Sequence, residues 1–396
     1  MTFLTTPGGA QRGAASFAQL RSRLPWLARR LAIVPLITAC ASLPDYDALK
    51  PADFSPIRIV SAQGQLPPAK SSAVLQRLEE RGGQSDVIRQ YVVFMEAEGG
   101  PPLVLGNHAR LLVDGPAAYA AMFGAIQAAK NHIHLETYIL QDDVIGRKLA
   151  DLLIRKREQG VTVRVLYDSV GSHETSKAFF ENLASHGVIV HEFNPINPAE
   201  GRNWSINNRD HRKVLIVDGM VAYTGGINIS SVYSSGSARR KKDKPPTEEG
   251  WRDTQIEIRG PAVAEFQKLF LDSWQRQHGP EITGGNYFPA LKPQGDKIIR
   301  VIGSTPSAER NLMYLSLLSA LKHADISIHI TMAYFVPDPQ TLAALAAAAR
   351  RGVDVKLILP GVSDFWAVLE AGRSHYSELL AAGVKIYERQ DALLHA

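Results

Sequence analysis

From residue 101 onward, apolar and polar positions switch repeatedly between a helical period and buried runs. Residues 117–129 are helical in composition and lead into a strand at 132–140. A second helix, 145–159, precedes the buried strand 161–166, and the pair 176–185 and 188–193 repeats the order. Helices and strands that alternate with short Gly or Pro breaks predict an α/β fold with a mainly parallel sheet flanked by helices. Downstream, 251–259 reads as a strand and 261–275 as an amphipathic helix with Val263, Phe266, Leu269, Phe270 and Trp274 on its core side. Upstream, 42–70 is rich in Pro and polar residues and reads as a loose tether, while 72–90 reads as a helix interrupted at Gly82-Gly83.

The same order returns near Gly303, with a helix at 309–322, a strand at 326–336, a helix at 341–351 and a strand at 352–359. Gly352-Val-Asp-Val-Lys-Leu-Ile-Leu359 matches Gly160-Val-Thr-Val-Arg-Val-Leu166, and 380–384 matches 183–188. An internal repeat of this length implies two similar lobes related by an approximate two-fold. Tyr138, Tyr334 and Phe335 end equivalent strands of the two copies and read first as core, with the lining of a substrate entrance as the alternative.

Between the copies lies the stretch that carries chemistry, His211-Arg-Lys213-Val-Leu-Ile-Val-Asp218-Gly, running on to Gly225-Gly226 and Asn228. As a pattern it is H-x-K-x4-D-x6-G-G-x-N. The four apolar residues 214–217 read as a buried strand, so His211 and Lys213 point to one side. An imidazole and an ammonium on one face suit a phosphate, one to attack phosphorus and the other to hold its oxygens. Asp218-Gly219 is a hairpin-turn signal, and Asp218 is open to a turn, an ion-pair or a chemical role. Gly225 and Gly226 would let backbone approach an anion closely, and Asn228 would add a neutral donor.

This pattern resembles the HKD motif of the phospholipase D superfamily. Asn208-Arg209-Asp210 before it, Gly226-Ile-Asn-Ile-Ser230 after it and Trp251-Arg-Asp-Thr254 further on resemble the bacterial cardiolipin synthase branch. The resemblance covers about residues 100–396 and implies two phospholipase D-like lobes meeting at one site. It implies metal-independent phosphatidyl transfer in two steps, with His211 as nucleophile and a phosphohistidine intermediate. Lys213, Gly225, Gly226 and Asn228 would hold the phosphate, and Asp253 would orient the ring of His211. His395 stands where the histidine of a second motif belongs and would be the general acid. The lysine and aspartate of that motif do not follow, so the second lobe is expected to be cut at its motif, with about 70 residues outstanding if the copies were equal. The expected domains are a signal peptide over 1–39, a tether and extension over 40–100, a first lobe over 101–285 and a second over 286–396. Truncation of this kind would leave the given chain impaired.

Composition narrows the setting. Hydrophobic content of 45% and charged content of 21% are ordinary for a globular protein, and a net charge of +5 suits anionic partners. Cys40 is the sole cysteine, which excludes an intrachain disulfide and a thiolate zinc site. It follows Ile37-Thr-Ala39 behind an Arg-bearing leader without acidic residues, which resembles a lipobox. A lipidated Cys40 would anchor the protein to a membrane of the cell envelope, facing the periplasm or exterior, where its phospholipid substrate lies. Arg239-Arg-Lys-Lys242 sits in a polar insertion and reads as a solvated loop or a head-group contact. Two rivals to phosphatidyl transfer are hydrolysis, by a phospholipase D or by a nuclease-type phosphodiesterase, and an inactive membrane-anchored protein that binds anionic lipid. Nucleic acid is the less favoured substrate, no cofactor or metal is called for, and the oligomeric state is open.

Overall fold

The computed structural model describes residues 43–49, 57–81, 87–195, 208–235, 250–305, 311–390 and 393–396. Asp45–Ala396 forms one compact unit. In chain order its first elements are β1 (Ile59–Ser61), β2 (Gly64–Gln65), α1 (Pro68–Arg81), α2 (Val87–Ala97), β3 (Leu103–Val113), α3 (Asp114–Ala128), β4 (His132–Thr137), α4 (Val144–Glu158), β5 (Thr162–Asp168), α5 (Lys177–Ser185) and β6 (Ile189–Phe193). Then come β7 (Val214–Val217), β8 (Val221–Gly225), β9 (Thr254–Arg259), α6 (Val263–Arg276) and β10 (Lys297–Ile299). The last are α7 (Leu312–His323), β11 (Ser327–Thr331), α8 (Pro339–Arg350), β12 (Asp354–Pro360), α9 (Trp366–Arg373), α10 (Tyr376–Ala381) and β13 (Lys385–Arg389).

The large sheet runs β2-β1-β3-β9-β8-β7-β4-β5-β6, with β10 on β3. It is mixed, which corrects the expectation of a mainly parallel first sheet. Only β1–β3, β4–β5 and β5–β6 are parallel, while β7 pairs antiparallel with both β4 and β8. The cause is local. Asp218 and Gly219 have φ of 55° and 65°, and Met220 N–H closes on Val217 O at 3.0 Å. That left-handed pair makes a hairpin, and a hairpin can join only antiparallel strands. The stretch 57–65 is also no loose tether, because β1 and β2 extend this sheet. Likewise β10, which falls within the 286–396 assigned to the second lobe, pairs with β3 of the first.

Strand alternation sorts the core. Ile133, Leu135, Leu215, Val217 and Tyr223 pack with α3, α4 and α5 on one face. Val214 and Ile216 pack with Phe266, Phe270 and Trp274 of α6 on the other. The second sheet, β11-β12-β13, is wholly parallel and has its own core of Leu318, Leu345, Val355, Leu357, Leu359 and Leu379. The strand expected over 326–336 stops at Thr331.

The internal repeat is visible at the helix ends. α4, α5, α8 and α10 each end at a glycine of positive φ followed by valine: Gly160 at 85°, Gly187 at 80°, Gly352 at 93° and Gly383 at 97°. Each valine N–H reaches back to a carbonyl five residues earlier, at 3.0–3.1 Å, as in Val161 to Lys156 and Val353 to Ala348. This is one helix-terminating motif used four times, and each copy turns the chain from a helix into the next strand.

Candidate active site

The segment 208–213 leads into β7, whose four residues are all buried. Lys213, 5% exposed, lies on the face of Leu215 and Val217 and donates from Nζ to the carbonyl of His211 at 2.8 Å. Its Nζ also stands 5.1 Å from the ring centroid of Tyr138, and the His211 ring lies 4.6 Å from that same ring. Tyr138 is therefore a wall of the site, not core. The backbone just after β4 brings it there.

The C-terminal segment supplies the facing side. Arg252 N–H donates to Leu393 O at 3.0 Å, and His395 N–H donates to Arg252 O at 2.8 Å. Leu393 and Leu394 are buried, which holds this short parallel pairing in place. His395 thereby meets Asp253, with Nδ1 at 2.7 Å from Oδ2. The Tyr233 hydroxyl lies 3.3 Å from the same nitrogen, and the Trp251 ring stacks on the imidazole at 5.2 Å. Tyr334 approaches it edge-on at 6.0 Å, half-exposed, with its hydroxyl on Asp364. Phe335 is core, as expected.

Two expectations need correction, and the role left open for Asp218 narrows to the turn. Asp253 was expected to orient His211, yet its carboxylate is committed to His395. The pairing of 252 with 393–395 decides this, and motif spacing carries no trace of it. The glycine pair was expected to admit a bound anion. A Cβ on Gly226 would instead collide with the Asp253 carboxylate, and one on Gly225 with Thr254 O and the Gln255 side chain. Glycine there makes room for Asp253. Asp218 lies at the far end of β7 from His211. Its carboxylate accepts the backbone N–H groups of Lys130, Asn131 and His132 at 2.8, 2.7 and 3.0 Å, which ties the hairpin to the start of β4.

Asn228 is fully buried between the two histidines' supports. Its Oδ1 accepts Ile139 N–H and its Nδ2 donates to the Tyr233 hydroxyl, both at 3.1 Å. Cys40 and Arg239–Lys242 lie outside the described residues.

The electrostatics favour distinct roles for the cations. His211 keeps solvent access at the mouth, but burial of its surroundings, then Lys213 and His395, push its imidazole down to about 4. Burial pushes the Lys213 ammonium down to about 7, against the opposing pull of Asp210, Asp253 and Asp168. Among the described residues no group of three His, Cys, Asp or Glu is placed to hold a metal ion.

Sequence reasoning did not single out Tyr233 or Glu136, nor the roles of Trp251, Asp210 and Arg212. Glu136 carried a signal, since an acidic residue inside the buried strand His-Ile-His-Leu-Glu-Thr needs a partner.

A mixed α/β fold with a His-x-Lys strand opposite a carboxylate-held histidine defines the class. Residues 122–236 and 317–396 match the sequence family described as cardiolipin synthase, PLD-like domain. The chain belongs to the phospholipase D superfamily. It is 36% identical over 325 residues to a cardiolipin synthase of Alkalihalophilus pseudofirmus, covering 81% of this chain and 62% of that protein. It is 38% identical over 294 residues to cardiolipin synthase 2 of Bacillus anthracis, covering 72% of this chain and 54% of the relative. The chain thus spans about 60% of the first relative's length. Among solved structures, the phosphatidylserine synthase of Haemophilus influenzae aligns over 72% of this chain and 74% of its own, at 15% identity and a TM-score of 0.47.

Proposed function

We propose that this chain carries phosphatidyl transfer of the cardiolipin synthase kind, through a phosphohistidine on His211. The observation that supports it best is the Asp253–His395 pair lying close enough to His211 for the charges to act on one another. A neutral His211 nitrogen attacks the phosphorus of a phosphodiester lipid, forming the N–P bond as the bond to the leaving alkoxide breaks. His395, charged and steadied by Asp253, gives its proton to that alkoxide and becomes neutral. It then takes the proton of the incoming alcohol, whose oxygen attacks phosphorus and releases His211. Water in place of the alcohol gives hydrolysis. Lys213 holds the non-bridging oxygens, and their negative charge raises its proton affinity above that of the empty site.

Incubating the full chain with phosphatidylglycerol vesicles and trapping the acid-labile phosphoenzyme tests this. Wild type should give labelled protein and a transfer product, and His211→Asn neither. Label that persists in His211→Asn would overturn the assignment. Plasmid cleavage in place of lipid turnover would favour the nuclease reading, and lipid binding without turnover the binding-protein reading. The two-lobe organisation belongs to the same proposal.

Membrane attachment through an acylated Cys40 fits a lipid substrate and the Arg-bearing leader. Among the described residues no helix is long and apolar enough to cross a membrane. Mass spectrometry of membrane-extracted protein should find a lipid-modified Cys40 at a new N-terminus, and an unmodified cysteine would overturn the anchor.

A further inference from the structure

On the face of the large sheet turned away from His211 and Lys213, two carboxyl groups meet beneath α6. Glu136 of β4 is fully buried and Asp210, the residue before His211, is 6% exposed. Arg212 lies with them. Its Nη1 is 3.4 Å from Glu136 Oε1 and bonds Ser273 Oγ of α6, and its Nη2 donates to Ser304 O at 2.9 Å. Asp210 Oδ1 accepts Arg212 N–H at 3.0 Å, and Asp210 N–H donates to Asp168 Oδ2 at 2.8 Å. That leaves Glu136 Oε2 and Asp210 Oδ2 buried with no donor among the described residues.

An ionised carboxylate only accepts, so two of them cannot satisfy each other. Two buried acceptors without donors, carrying like charges, cost folding free energy on both counts. A charge count agrees. Arg212 offsets one negative charge, and Asp168 already has Arg209 at 3.8 Å. One proton between the two free oxygens resolves both problems, because one carboxyl then donates to the other.

We propose that Glu136 and Asp210 share a single proton across Oε2 and Oδ2, and that this closed pair positions the backbone bearing His211 and Lys213 and keeps one negative charge behind Lys213. The positioning role rests on the phosphatidyl-transfer reading, whereas the shared proton does not. The segment 208–213 precedes β7 and makes no ladder bonds of its own, so side-chain ties must set its path. Burial also favours the pair as partly protonated, with Glu136 raised well above the usual carboxylate range by desolvation first and Asp210 second. Asp210 is the largest of the charges that oppose the depression of Lys213.

The test uses Glu136→Gln, Glu136→Leu and Asp210→Asn in the full chain. Infrared difference spectra at neutral pH should show the carbonyl band of a buried carboxylic acid in wild type and lose it in Glu136→Gln. Glutamine can donate N–H to Asp210 where the proton stood, so Glu136→Gln should recover most of the activity and thermal stability lost in Glu136→Leu. Glu136→Leu should lose about 100-fold in turnover, the scale of a misplaced catalytic group. Asp210→Asn should move the upper pH limb of kcat/KM to lower pH, because Lys213 loses its strongest counter-charge. A purely structural pair would leave that limb in place. Absence of the acid band, or a band unchanged in Glu136→Gln, overturns the shared proton whatever the activity. An unmoved limb in Asp210→Asn overturns the positioning role. A correct band in a wild-type chain without lipid turnover overturns the transfer reading and the positioning role with it, and upholds the shared proton.

Discussion

His395 Nδ1 lies 2.7 Å from Asp253 Oδ2, so Nδ1–H donates to the carboxylate and Nε2 is the nitrogen left for proton transfer. Asp253→Asn removes the charge that steadies an imidazolium and can present an N–H to Nδ1, favouring the wrong tautomer. We expect turnover to fall by about 10²- to 10⁴-fold, the usual weight of a general acid–base, with the melting temperature little changed. His395→Asn should cost as much alone as in combination with Asp253→Asn, since the two act as one unit. Additive losses in steady-state transfer assays would show that Asp253 acts on another group.

Gly226→Ala tests the same relationship from the backbone side. The new methyl would stand on the Asp253 carboxylate. Overpacking of this kind costs about 1–3 kcal/mol, and it should also push Asp253 off His395. We expect lower stability in denaturant titration together with a kinetic defect like that of Asp253→Asn. A destabilised variant with wild-type kcat would show that the glycine is needed only for packing.

Asp218 should behave in the opposite way. Its three backbone hydrogen bonds join the β7–β8 hairpin to the start of β4. Asp218→Ala loses charge-assisted bonds worth about 1.5–3 kcal/mol each before solvation and relaxation offset them, and it places alanine at a φ of 55°. We expect a clear loss of stability, with KM and kcat of the remaining folded enzyme unchanged. A kcat loss larger than the loss of folded protein would return Asp218 to the chemistry.

The helix-ending glycines predict matched effects in the two repeats. Gly160 and Gly352 have φ of 85° and 93°, and a Cβ at either would meet nothing within 4 Å. Alanine at each site is thus opposed by backbone conformation alone, a cost of about 1–2 kcal/mol. Equal losses by thermal unfolding would support one motif used twice. A loss at Gly160 with none at Gly352 would not.

How much was legible follows the range of each interaction. His211, Lys213 and the hairpin could be read because the motif is local and strand alternation fixes its faces. The helix–strand order could be read because each Gly-Val step ends a helix within six residues. Sheet direction could not, since nothing in the helix–strand order said that β3, β9 and β10 join the same sheet. The partner of Asp253 was hidden for the same reason, as 142 residues separate it from His395. Tyr138 and Tyr334 were read as core because strand-end aromatics usually are. Pairing of β4 with β7 places Tyr138 beside His211, and the return of 393–396 to Arg252 places His395 beside Tyr334. Glu136 and Asp210 were visible as charges, but not as a pair.

The pH dependence should expose Lys213. Burial holds it at about 7 in the empty site, below the ordinary lysine value of about 10.4. The free chain therefore loses the ammonium as pH rises through about 7, and kcat/KM should fall there. Bound phosphate raises the lysine, so the matching limb of kcat should lie at higher pH. His211, pushed down to about 4, is already neutral across this range and contributes no limb near 7. Stability should run the other way. Between the folded and unfolded lysine values the unfolded chain binds more protons, so unfolding free energy rises with pH. The cost of burying the ammonium is fully present below about 7 and is relieved toward the unfolded value. Lys213→Arg keeps its charge throughout and should abolish the limb of kcat/KM near 7, at reduced activity because the guanidinium is larger. A limb that survives in Lys213→Arg belongs to another group, and the assignment of Lys213 as the titrating phosphate ligand would be wrong.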